Sequence, residues 1–131
     1  MLRKLAAGAA AVLTLALPGA GTAADTDGDD EARIRVACAG ATAELRVKAD
    51  SDDDAATLAV ELRVETRRPM QSWRVVLLHE RLLVFDGVRR TDSSGLKLRV
   101  RLRLRDWPGR ETVTARLAPR GGRTCRLQVT I

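Results

Sequence analysis

The chain predicts an all-β fold, a two-sheet sandwich of about seven or eight antiparallel strands behind an N-terminal signal-peptide helix. Three observations lead there. From Ala32 to the end, apolar residues recur at every second position, which is the period of a half-buried strand. Turn residues interrupt these runs at intervals of about 8–15 residues, as in stacked antiparallel sheets. No stretch after the first 24 residues keeps a helical period over three turns.

The first 24 of the 131 residues read as an export signal. Arg3 and Lys4 precede an uncharged run from Leu5 to Leu17, Pro18-Gly19 breaks it, and small residues lead to Ala23-Ala24, where cleavage is expected. The apolar run is shorter than the roughly 20 residues that a bilayer span needs, so no stable membrane span is expected after cleavage. Residues 25–31 are acidic and read as a solvated, disordered tail. The folded domain is then residues 32–131, exported to an extracellular or periplasmic space.

Ile34, Val36 and Cys38 alternate with arginines up to the break at Gly40. Leu45, Val47 and Ala49 alternate with Glu44, Arg46 and Lys48, and Leu58, Val60, Leu62 and Val64 alternate with Glu61, Arg63 and Glu65. The stretch Trp73 to Arg90 reads as a hairpin turning at His79-Glu80-Arg81, apolar on both faces. Leu96 to Arg105 alternates Leu or Val with Lys97, Arg99, Arg101, Arg103 and Arg105. Two last strands follow, around Val113-Ala115-Leu117 and Cys125-Leu127-Val129, with a turn at Pro119-Arg-Gly-Gly-Arg123 between them.

Cys38 and Cys125 are the only cysteines, and in an exported chain an even pair implies a disulfide. Each shares strand parity with inward apolar residues, so both sulfurs point into one core and the bond clips the first strand to the last. A zinc site needs four ligands, and His79 is the single histidine, so no metal is expected.

The formal charge is +6; removing Arg3 and Lys4 from 23 basic residues leaves 21 against 17 acidic ones, or +4. The bases concentrate after residue 55. The five on the strand from residue 96 to residue 105 fall on one face about 6.6 Å apart, which makes them a candidate polyanion-binding row. Glu61, Glu65 and Glu111 on neighbouring strands are the carboxylates expected to neutralise it. Nucleic acid is disfavoured as a partner, because base stacking needs aromatics and the chain holds two Trp, one Phe and no Tyr.

In the central hairpin, Trp73, Val75 and Leu77 are assigned to the core. Parity then puts a second apolar row, Val76, Leu78, Leu83 and Phe85, on the other face, a candidate interface for a protein partner or a homodimer. His79 is placed at the solvent-exposed hairpin tip, and no serine has a nucleophile-elbow context, so no catalytic residue is assigned and no enzyme is expected. No phosphate-cradling glycine loop is present and no cofactor is called for.

The closing stretch from Pro108 to Ile131 resembles the last hairpin of bacterial immunoglobulin-like domains, and Trp73 is similar to the buried Trp of that fold. With its signal segment and arginine-rich alternation, the chain resembles small secreted proteins of actinobacteria. The resemblance implies an immunoglobulin-like sandwich and carries no catalytic motif. It departs from antibody-type domains in its cysteines, which fall in the first and last strands, and in the lack of any Tyr for a tyrosine corner. The expectation is a secreted, non-enzymatic interaction module presenting a surface to a protein or cell-envelope partner. The alternatives are a binder of a cell-wall polymer or acidic polysaccharide through residues 96–105, and a small extracellular enzyme inhibitor.

Overall fold

A computed structural model describes residues 25–26, 31–50, 56–94 and 96–131; the expected signal segment lies outside the described residues. The strands are β1 (Asp25–Thr26), β2 (Glu31–Cys38), β3 (Ala41–Asp50), β4 (Thr57–Glu65), β5 (Ser72–His79), β6 (Leu82–Arg90), β7 (Lys97–Arg105), β8 (Thr112–Pro119) and β9 (Cys125–Thr130). Sheet A has the order β1-β2-β3-β4-β7 and sheet B the order β6-β5-β8-β9, with every pairing antiparallel. The chain leaves sheet A after β4, makes the β5–β6 hairpin in sheet B, and returns as β7 beside β4. This all-β sandwich with its crossed return is compatible with an immunoglobulin-like arrangement.

The alternation of the sequence becomes the inside and outside of the sandwich. Leu45 and Val47 of β3, Leu58, Leu62 and Val64 of β4, and Trp73, Val75 and Leu77 of β5 are completely buried between the sheets. At about 25 cal/mol per Å² of apolar surface, this interior is the main driving force for folding. The polar handle of the buried Trp73 is satisfied, since its indole Nε1–H donates to Gln71 Oε1 at 3.1 Å. Cys38 and Cys125 form the expected disulfide, with Cα atoms 5.9 Å apart. It joins β2 to β9 and so closes one side of the sandwich across the two sheets.

The β2–β3 turn is the two-residue connection Ala39-Gly40, with φ of 48° and 79°. Two positive φ values in a row give the turn whose twist matches the strands it joins. Two segments depart from the sequence reading. Asp25–Thr26 pair with Arg33 and Ala32, and Glu31 opens β2, so both ends of the expected acidic tail belong to sheet A. The β5–β6 ladder also shifts register between Leu77 and Leu78.

Candidate anion-binding face

The outer face of sheet A gathers the charge. β2 contributes Arg33 and Arg35 with Glu31, and β3 contributes Arg46 and Lys48 with Glu44 and Asp50. β4 contributes Arg63 with Glu61 and Glu65, while β7 contributes Lys97, Arg99, Arg101, Arg103 and Arg105 and no acid. On β2, β3, β4 and β7, ten bases therefore share the outer face with five acids, because these positions alternate with the buried apolar ones.

Cross-strand register decides how far the acids neutralise them. Glu61 lies opposite Arg101 on β7 and Arg46 on β3. Its carboxylate is shared among Arg63 at 3.3 Å, Arg99 at 3.4 Å and Arg101 at 3.5 Å. Glu65 meets Lys97 at 3.8 Å, and Asp50 meets Arg103 at 3.9 Å. Arg46 is held by Glu31, whose carboxyl sits below its ordinary range because it accepts the guanidinium's hydrogen bond. One carboxylate shared by three guanidiniums leaves excess positive charge, and Arg63 Nε, covered by its surroundings, finds no acceptor among the described residues. Exposed pairs of this kind add little stability, typically about 0–1 kcal/mol each.

A depression of about 370 Å³ opens in this face. Lys48, Ala59 and Arg103 stand side by side across β3, β4 and β7, and Arg46, Glu61 and Arg101 form the next row. The short Ala59 side chain leaves a notch, lined by Arg46, Lys48, Glu61, Arg101 and Arg103. Residues 101 and 103 belong to the sequence-derived row. Arg46, Lys48 and Ala59 do not, because only the three-strand register brings them beside it.

Glu111, expected among the counter-charges of the basic row, is buried at the end of the sandwich where β5 stops and β8 begins. Its Oε1 lies 3.0 Å from His79 Nε2 and also accepts the backbone N–H of Trp107. Burial first, and then the neighbouring Asp106, push the Glu111 carboxyl above the ordinary range. His79 is not exposed at a hairpin tip, since only 2% of its surface is accessible. It is the last residue of β5, and the Trp107 ring stacks on it with centroids 4.0 Å apart. A His–Glu pair can transfer protons where a substrate reaches it. Here both side chains are 3% exposed and Trp107 covers the imidazole, which makes the pair part of the packing.

The apolar row expected on the outer side of the central hairpin is split. Val76 and Leu78 are half-buried and Leu83 is 58% exposed. Phe85, however, pairs with the inward residue Leu77 and packs against the core. The register shift between Leu77 and Leu78 adds one residue to β6 and reverses the parity beyond it. The Phe85 ring lies along β6 over Gly87, where a Cβ would stand 3.2 Å from it, with the Arg89 guanidinium 4.9 Å from its centroid. Leu82 and Val88, 58% and 61% exposed, are the other large apolar residues bared by β6.

Among the described residues no cluster of three or more His, Cys, Asp or Glu is placed to hold a metal, and no helix is long and apolar enough to cross a membrane. Compared with known proteins, the chain matches no family model, no curated protein and no solved structure.

Proposed function

We propose that this chain is a secreted, non-enzymatic binding module of the immunoglobulin-like type, akin to small secreted proteins of actinobacteria, whose working surface is the outer face of sheet A. Its partner is a polyanion of the cell envelope or an acidic extracellular polysaccharide. The observation that carries the reading is the charge imbalance on that face, where β7 contributes five bases and no acid. Rigid strands hold these bases in a fixed array, so binding does not require the backbone to be ordered first. The Cys38–Cys125 disulfide fits an oxidising compartment and supports export.

Retention of the mature domain on a phosphate-bearing resin tests this. Retention is expected to fall steeply as salt rises. Replacing Arg99, Arg101 and Arg103 together by Ser is expected to abolish it at moderate salt, and unchanged retention of that variant would sink the reading. A second reading, a protein partner or a homodimer on the β6 side, is favoured by the exposure of Leu82, Leu83 and Val88.

A further inference from the structure

We infer that the Ala59 notch seats a single phosphoryl group of a phosphate-rich polymer that carries no bases, an inference that rests on the polyanion reading above. Four cations converge on the notch from two sides. Arg46 and Lys48 come from β3, while Arg101 and Arg103 come from β7. With neighbouring strands about 4.8 Å apart, β3 and β7 stand roughly 10 Å from each other, a gap that long basic side chains close over a small anion. One carboxylate, Glu61, lies in the lining against these four bases. Glu31 holds Arg46 and also faces Lys48 across the ladder, and Asp50 touches Arg103, but no carboxylate among the described residues comes within 4 Å of the Lys48 ammonium.

The geometry selects the ligand class. A carboxylate offers its lone pairs in one plane, which suits a single guanidinium fork better than bases on two flanks. A tetrahedral phosphoryl group offers oxygens in several planes and can accept from Lys48 on one flank and the Arg103 fork on the other. A terminal phosphate carries close to two negative charges at neutral pH, more than a carboxylate, a sulfate ester or an internal phosphate brings, so the polymer's end is the group that the notch takes. Among the described residues, β2, β3, β4 and β7 put no aromatic side chain on the outer face, which leaves nucleobases nothing to stack on. Beyond the notch, the β7 row continues the positive track for the rest of the polymer.

The test measures binding of inorganic tripolyphosphate and of long-chain polyphosphate to the mature, disulfide-bonded protein and two variants. Ala59→Glu fills the notch with a carboxylate. Ala118→Glu makes the same charge change on sheet B, at a half-buried position opposite Arg74. Ala59→Glu is expected to weaken tripolyphosphate at least tenfold, and Ala118→Glu less than twofold. Equal weakening by both, with polymer binding intact, overturns the notch and leaves the face. Absence of polyphosphate binding by the wild-type protein at low salt overturns both. Tighter binding of a sulfated glycan or of single-stranded DNA at equal charge overturns the phosphoryl assignment. Should Ala59→Glu fail to fold, the pair Lys48→Ser with Arg103→Ser is held to the same tenfold loss.

Discussion

His79 Nε2 and Glu111 Oε1 stand 3.0 Å apart at a closed end of the sandwich, and the same carboxylate oxygen accepts the backbone N–H of Trp107. This one acceptor ties the end of β5 to the connection between β7 and β8, so the pair organises that end of the domain. Burial and Asp106 raise the Glu111 pKa above 4.5. A carboxyl that holds its proton more tightly folded than unfolded contributes stability that is full below the unfolded value and is lost as pH rises through the folded one. The stability of the wild-type protein minus that of Glu111→Gln is therefore expected to fall as pH increases from 4.5 upward. Urea midpoints of both proteins between about pH 4 and pH 8 check this. A difference that grows with pH would mean that attraction to the facing His79 outweighs burial.

The disulfide is the second lever on stability. It spans 87 residues and fastens β2 to β9 across the sandwich. Closing a loop of that length removes about 4–5 kcal/mol of conformational freedom from the unfolded chain in the entropy model. A domain of this size has roughly 5–15 kcal/mol in total. Replacing Cys38 and Cys125 together by Ala is expected to bring it close to the unfolding threshold, read as a large drop in urea midpoint. Reduction of the wild-type protein is expected to match the double variant. A midpoint shift worth less than about 1 kcal/mol would show that the sheets hold together without the clip.

The two-residue turn between β2 and β3 offers a gain. Ala39 stands at φ 48°, in the left-handed region that disfavours a Cβ, and it is exposed. Asn tolerates that region, and Asn-Gly is the preferred pair for this hairpin. Ala39→Asn is expected to stabilise the domain by up to about 1 kcal/mol, a part of the left-handed penalty on an ordinary side chain, seen as a higher urea midpoint at unchanged slope. A lower midpoint would place the strain elsewhere in the turn.

What could be read from the sequence follows from which positions obey a simple period. β2, β3, β4 and β7 alternate without interruption, so their buried and charged faces follow directly, and Cys38 and Cys125 can be matched by parity. The failures sit where a residue's place depends on another strand. The sequence pattern points Phe85 outward because nothing local to β6 signals the register shift opposite Leu77. The sequence pattern leaves His79 in solvent because the cover it receives comes from Trp107, 28 positions along the chain in the connection between β7 and β8. The Ala59 notch is invisible in sequence, since an alanine is a gap only between Lys48 and Arg103, and only register puts it there.

That reversed parity makes the two candidate interface residues on β6 separable by experiment. Leu83 is 58% exposed, so Leu83→Ser is expected to change stability by no more than about 0.5 kcal/mol. Phe85 packs on the core and stacks with Arg89, so Phe85→Ser is expected to cost about 2 kcal/mol, short of the 3–5 typical of a fully buried ring. A sedimentation change caused by Phe85→Ser alone therefore reports on folding and not on association. If the working surface is the outer face of sheet A, Leu83→Ser leaves both the sedimentation coefficient and polyphosphate binding as they are in the wild type. A shift from dimer to monomer in Leu83→Ser, with the urea midpoint unchanged, would instead make the β6 side an interface between copies of the chain.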